Sequence, residues 1–198
     1  MGYENIKMNG NKITLSQGMS IDLGGIAKGY TGDCVMEAMT EYGVESALIN
    51  LGGNVQTLGT KPDGSMWKIA IQDPESDGTI GTLSVSDAAV ITSGGYQRYF
   101  EENGTKYHHI INPKTGYPAD SGLLSVTIVS DKGITGDGLS TALFVMGTSD
   151  AIAFWQEYGD FEAVLITKDD IYITSGLENA FTLSDQYKDR SVVVVTAD

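Results

Sequence analysis

Residues 122–147, GLLSVTIVSDKGITGDGLSTALFVMG, decide how the rest of the chain is read. The β-branched run of 122–130 predicts a strand, and the apolar stretch opening at Gly136-Asp137-Gly138 predicts a buried helix. A second helix is expected from about Ser149 to Tyr158, after which the strand pattern returns. Phe161 to Thr167 and Ile171 to Thr174, turned by Asp169-Asp170, read as a hairpin, and the β-branched run Ser191 to Thr196 reads as a strand pairing with a sheet edge. The helices thus fall between groups of strands. That arrangement predicts an α+β fold with a largely antiparallel sheet, not a doubly wound βαβ array.

The upstream half fits the same pattern. Residues 11 to 22 predict a short strand, a turn at Gln17-Gly18 and a second strand. Ile26 to Tyr42 carries apolar or small residues at helical spacing and stops at Gly43. Strands are expected over Ser46 to Leu51, 66 to 72, 80 to 85 and Ala88 to Thr92, and a hairpin joins Tyr96 to Phe100 with Tyr107 to Ile111 across Asn103-Gly104. The 25 glycines cluster between apolar runs, as in a chain of short elements joined by tight turns. Val90-Ile91-Thr92-Ser93-Gly94 echoes Tyr172-Ile173-Thr174-Ser175-Gly176, too briefly to mark a duplication.

A chain of 198 residues is long enough for a full core and is most simply one domain over 1–198. With 41% hydrophobic and 19% charged residues it reads as a soluble globule, with no membrane-spanning run and no signal segment at its start. The net charge of −14, with only 12 Lys and Arg, argues against nucleic acid as a partner. An anionic ligand then needs help from a cation, a helix N-terminus or backbone amides. The single Cys34 excludes an intrachain disulfide or a cysteine cluster, and its neighbours Val35, Met36, Ala38 and Met39 predict a buried thiol.

Asp137 and Thr141 stand four residues apart and so project from one helical face. A carboxylate and a hydroxyl are hard oxygen donors suited to Mg2+, although an Asp at a helix start is as readily a cap. Asp22-Leu23-Gly24-Gly25-Ile26-Ala27-Lys28 is a glycine turn before a helix, a place where a phosphate can approach amides with Lys28 nearby. It has neither P-loop nor dinucleotide spacing. Asn50-Leu51-Gly52-Gly53-Asn54 and Thr92-Ser93-Gly94-Gly95 are further turns that together suggest a backbone-lined cleft. His108 and His109, the two histidines of the chain, point to opposite faces if they lie on a strand, which leaves open which one faces the cleft.

In order along the chain, DLGGIAKGY (22–30), INLGGNV (49–55), WKIAIQDP (67–74), ITSGGYQRYF (91–100), HHIINPKTGYP (108–118) and GDGLSTALFVMG (136–147) closely resemble the ApbE-type FAD:protein FMN transferases. The resemblance covers roughly residues 20 to 180. It implies an ApbE-like, T-fold-related architecture and an enzyme that uses Mg2+ to cleave FAD, release AMP and attach FMN to a Thr or Ser of an acceptor protein. Members acting as FAD pyrophosphatases, or a non-catalytic flavin-binding module, are the alternatives. The metal ligands it implies are the Asp137 and Thr141 side chains and the Ala27 carbonyl. The FAD contacts it implies are Gly24, Gly25, Lys28, Asp33, Gly52, Gly53, Asn54, Thr92, Ser93 and His109, with His109 and Asp137 as catalytic residues.

Two departures stand out. Only about 20 residues precede DLGGIAKGY, where the family has a longer segment, so a fragment or a short form is expected. The alanines that flank the metal Asp in the family are Gly136 and Gly138 here. The resemblance further implies an extracytoplasmic setting for a longer family member, an acceptor flavoprotein or redox subunit as partner, and a homodimer that covers an exposed sheet edge.

Overall fold

The structure is a computed structural model that describes residues 2–197. In chain order the elements are β1 (Ile6–Asn9), β2 (Lys12–Leu15), α1 (Ala27–Glu41), β3 (Ala47–Leu51), β4 (Asn54–Leu58), β5 (Trp67–Gln72), β6 (Thr79–Val85), β7 (Ala89–Gly94), β8 (Tyr99–Glu102) and β9 (Thr105–His108). They continue as β10 (Leu123–Ser130), α2 (Gly133–Met146), α3 (Thr148–Tyr158), β11 (Glu162–Thr167), β12 (Asp170–Thr174), β13 (Phe181–Leu183) and β14 (Ser191–Val195). The fold is α+β, as the alternation of strand groups and helices predicts.

The main sheet has seven strands in the order β14-β12-β11-β10-β7-β4-β3. All neighbours are antiparallel except β12 and β14, which run parallel and give Ser191–Val195 the edge position its β-branched sequence suggests. Alternation along the central strands feeds two cores. Val126 and Ile128 of β10, with Ala163 and Leu165 of β11, pack with Leu143 and Phe144 of α2 and Trp155 of α3. Val164 and Ile166 face the other way and pack with Ile69, Ile71, Ile80 and Leu83 of a small sheet ordered β13-β6-β5. The two remaining two-stranded sheets are the β1–β2 and β8–β9 hairpins.

Four departures from the sequence reading have physical causes. The first hairpin turns at Gly10, which adopts φ +57°, so β1 and β2 span 6–15, and 17–22 is irregular chain leading into α1. The strands β4, which is Asn-Val-Gln-Thr-Leu, and β13, which is only Phe-Thr-Leu, are too short for their patterns to mark them, and only their partners show them. The buried residues of helix α1 are Gly29 and Gly32, so Val35, Met36 and Met39 are only half-buried and Cys34 is exposed instead of buried. Helix α2 begins at Gly133, three residues before the expected opening, because the Asp33 carboxylate of α1 caps it. Asp33 Oδ1 accepts from the Gly133 amide at 2.6 Å and Oδ2 from the Ile134 amide at 2.9 Å. This is the role of an N-cap, supplied from 100 residues away.

A buried carboxylate, that of Asp73, ties the small sheet to the C-terminal segment. Asp73 is 4% exposed and accepts from the Tyr187 hydroxyl, the Ser76 hydroxyl (2.7 Å) and the Glu75 amide (3.0 Å). Burial pushes its carboxyl up, but these donors and the nearby Arg190 charge outweigh it and hold the group below the usual carboxylate range. The stability this contributes is present above the ordinary carboxylate pKa and is lost as pH falls through the lowered value. Tyr187→Phe is therefore expected to lower stability by about 1–2 kcal/mol at neutral pH. The gap from the parent chain should narrow on acidification, and thermal unfolding between neutral pH and the carboxylate range checks this. Among the described residues no helix is long and apolar enough to cross a membrane.

Candidate functional site

The site forms where α1 crosses α2. At Gly29 an added Cβ would lie 2.1 Å from the Gly133 carbonyl oxygen and 2.8 Å from the Asp137 Cβ, so only glycine allows this approach. Gly133 is equally confined, by Gln56 and by the Gly29 carbonyl. The contact places the first turn of α1 on the buried face of α2. There the Gly29 amide donates to Asp137 Oδ2 at 2.9 Å.

Asp137 occupies the second turn of α2 and is 5% exposed, so it is not the helix cap that its place in the sequence suggests. Its Oδ1 has no hydrogen-bond partner among the described residues, and its side chain lines a cleft of about 420 Å³. Thr141, one turn on, lines the same cleft. Its hydroxyl lies 3.1 Å from Ser93 Oγ and 3.3 Å from the Asp137 carbonyl oxygen, and Ser93 Oγ is in turn 2.9 Å from Ser140 Oγ. A chain of hydroxyls therefore fixes the rotamer of Thr141.

The cleft also gathers Gly24, Gly25, Lys28, Gly52, Thr92, Ser93 and His109 from the sequence-predicted set. Asp33 is not brought in: both its oxygens are committed to the α2 amides, and it lines a separate depression behind α1. Gly53 and Asn54 do not line the cleft either, and Asn54 touches it only by accepting from Lys28 Nζ at 2.7 Å.

Ala27 is also absent from the lining, and its carbonyl, inside α1, already accepts from the Thr31 hydroxyl at 2.8 Å. At the start of α1 the carbonyls of Leu23, Ile26 and Ala27 are engaged, those of Gly24 and Gly25 accept from no donor among the described residues, and the one whose helical donor Asp137 diverts is that of Gly25. The Gly29 amide would close the first helical turn on it but donates to Asp137 instead, and no other donor reaches it among the described residues. An aspartate oxygen, a threonine hydroxyl and a backbone carbonyl make a hard donor set that fits Mg2+. Among the described residues no cluster of three His, Cys, Asp or Glu side chains offers a rival site.

The structure separates the two histidines. His108 Nε2 donates to the Ala119 carbonyl at 3.0 Å, its Nδ1 accepts the Ile110 amide at 3.3 Å, and its ring stands edge-on to Phe144. Both nitrogens are thus engaged in holding the chain. His109 lines the cleft, with Nδ1 3.3 Å from the Arg98 carbonyl. A carbonyl only accepts, so Nδ1 is the donor, and in the neutral ring Nε2 then carries the lone pair. Arg98 lines the cleft beside it and was not singled out from the sequence, although it sits within the quoted ITSGGYQRYF run. A lone arginine on an exposed hairpin gives no signal of its own until the hairpin folds over the glycine turns.

Comparison with known proteins gives the family. The ApbE family model matches residues 1–165. The FAD:protein FMN transferase of Klebsiella pneumoniae (strain 342) is 44% identical over 161 residues, covering 80% of this chain and 49% of its own. That of Treponema pallidum (strain Nichols) is 40% identical over 162 residues, covering 77% and 45%. Among solved structures, the flavin transferase ApbE from Vibrio cholerae superposes with a TM-score of 0.80 at 31% identity over 90% of this chain and 59% of that one. The ApbE protein from Thermotoga maritima MSB8 gives 0.78 at 33% identity over 96% and 60%. The chain spans about half the length of the curated relatives it matches. With a matching family model over most of its length, a shared fold and two independent close relatives, this chain belongs to the ApbE family.

Proposed function

We propose that this chain binds FAD in the cleft between α1 and α2, cleaves its pyrophosphate with the help of Mg2+, releases AMP and passes FMN to a Thr or Ser hydroxyl of an acceptor protein. The observation that carries this reading is the meeting of Asp137 Oδ1 and the Thr141 hydroxyl with Lys28, Arg98, two glycine turns and His109 in one cleft. The names of the relatives, FAD:protein FMN transferase, support it.

Asp137, Thr141 and the Gly25 carbonyl would hold the Mg2+, with Gly25 taking the place first given to Ala27; when bound, the ion would neutralise pyrophosphate charge and ease departure of AMP. Gly24 and Gly25 carry no side chains to keep phosphate oxygens from the backbone at the start of α1. Lys28 and Arg98 supply positive charge that a chain of net charge −14 otherwise lacks there. His109 Nε2, bearing the lone pair, would accept the acceptor hydroxyl's proton as its oxygen bonds to the FMN phosphorus and the phosphorus–oxygen bond to AMP breaks.

His109 is exposed, which favours a second reading in which water replaces the acceptor and the products are free FMN and AMP. One assay separates them: the chain is incubated with FAD, Mg2+ and a peptide bearing a Thr acceptor. A covalent fluorescent adduct with stoichiometric AMP is expected, and His109→Ala should lower its rate by roughly a hundredfold or more. Free FMN without adduct would establish the hydrolase. FAD binding without AMP release would leave only a flavin-binding module.

A further inference from the structure

Two polar side chains on β4 lie beneath the first turn of α1 without lining the cleft. Asn54 and Gln56 are two residues apart on one strand and so share a face. They are 2% and 5% exposed. Gln56 Nε2 donates to the Gly29 carbonyl at 3.1 Å, and Asn54 Oδ1 accepts from Lys28 Nζ at 2.7 Å. Asn54 Nδ2 is buried and has no partner among the described residues. A buried orphan amide costs about 1–3 kcal/mol, which an apolar residue at this position would avoid. The cost points to a use for the carbonyl end.

We infer that Asn54 is a positioning residue for Lys28, holding the ammonium at the cleft through a neutral oxygen that leaves its charge uncancelled. The inference rests on the reading of the cleft as an anion site. An ammonium has three donors, so one spent on Asn54 leaves two for phosphate oxygens. A lysine already fixed also loses less rotamer freedom when the anion arrives. Aspartate would hold Lys28 at least as firmly but would offset its charge, in a cleft that Asp22 and Asp137 already line. Neutrality at position 54 therefore matters as much as the hydrogen bond.

The test is a double-mutant cycle read as affinity for inorganic pyrophosphate in Mg2+, by titration calorimetry, with circular dichroism to confirm that each variant is folded. Lys28→Ala and Asn54→Ala are each expected to weaken binding about tenfold, as befits a charge-assisted contact. The double variant should bind no more weakly than Lys28→Ala alone. Asn54→Asp should weaken binding at least as much as Asn54→Ala although it keeps an acceptor oxygen, and it carries the test if the alanine variant does not fold. Additive losses in the cycle, or parental affinity in Asn54→Ala or Asn54→Asp while Lys28→Ala weakens binding, overturn the role of Asn54 alone. Unchanged affinity in Lys28→Ala overturns the anion cleft on which the inference rests.

Discussion

Asp137→Asn is expected to reduce Mg2+-dependent release of AMP from FAD by roughly a thousandfold, the equivalent of about 4 kcal/mol of transition-state stabilisation. Asparagine is the informative replacement because it matches aspartate in size and can still accept the Gly29 amide, which Asp137 Oδ2 now does at 2.9 Å. Alanine would also remove the charge, but it would leave that buried amide without a partner at a cost of about 1–3 kcal/mol and confuse lost chemistry with lost structure. The asparagine variant should unfold within a few degrees of the parent chain, since about 1 kcal/mol moves the midpoint of a domain this size by about 2–4 °C. Chromatographic measurement of AMP with and without Mg2+ checks the rate. Parental turnover in this variant would remove the proposed cation from the mechanism.

Gly29→Ala is the substitution expected to damage fold and site together. Its Cβ would lie 2.1 Å from the Gly133 oxygen, 2.5 Å from the Gly133 carbonyl carbon and 2.8 Å from the Asp137 Cβ. The first two are backbone atoms of a capped helix start and cannot rotate away, so α1 must move off α2. Overpacking of this kind costs about 1–3 kcal/mol and more where backbone must shift, here a midpoint lowered by roughly 10 °C. The same displacement withdraws the Gly29 amide, the Gly25 carbonyl and Lys28 from Asp137, so AMP release should fall by about a hundredfold even below the new midpoint. Gly138→Ala is the contrast. Its Cβ would meet only Ile26 Cγ2 at 3.6 Å, an ordinary contact, and the helix should gain about 0.5–1 kcal/mol. Thermal unfolding of the two variants side by side decides whether close approach or mere helix propensity governs these glycines.

The parts of this molecule legible in its sequence are those whose signal is local. The strand at 123–130, the following helices, the 162–174 hairpin and the terminal edge strand follow from β-branched runs, helical spacing and turn residues over windows of about ten residues. The pairing of Asp137 with Thr141 on one helical face was legible for the same reason. What escaped depends on contacts distant in sequence. The start of α2 is fixed by Asp33, which the chain supplies 100 residues earlier, and that cap moves Asp137 from the helix end into its second turn.

The carbonyl that the Asp137 contact leaves open was equally hidden. It depends on where the Gly29 amide points, and that is decided by Asp137 across 108 residues, which leaves Gly25 available while Ala27 is engaged by Thr31. The exposure of Cys34 follows from the same crossing, since glycines and not the apolar stripe make the buried face of α1. Arg98 and the division of labour between His108 and His109 appear only when the β8–β9 hairpin is folded beside the glycine turns.

The most direct test of the proposed site is a crystal structure of the chain with Mn2+ in place of Mg2+ and with FAD, read by the anomalous signal of the metal. The expected result is a peak within about 2.0–2.4 Å of Asp137 Oδ1, Thr141 Oγ1 and the Gly25 carbonyl oxygen, with the flavin pyrophosphate reaching it past Lys28. A peak elsewhere in the molecule, or FAD bound in the cleft with no metal at these three oxygens, would contradict it.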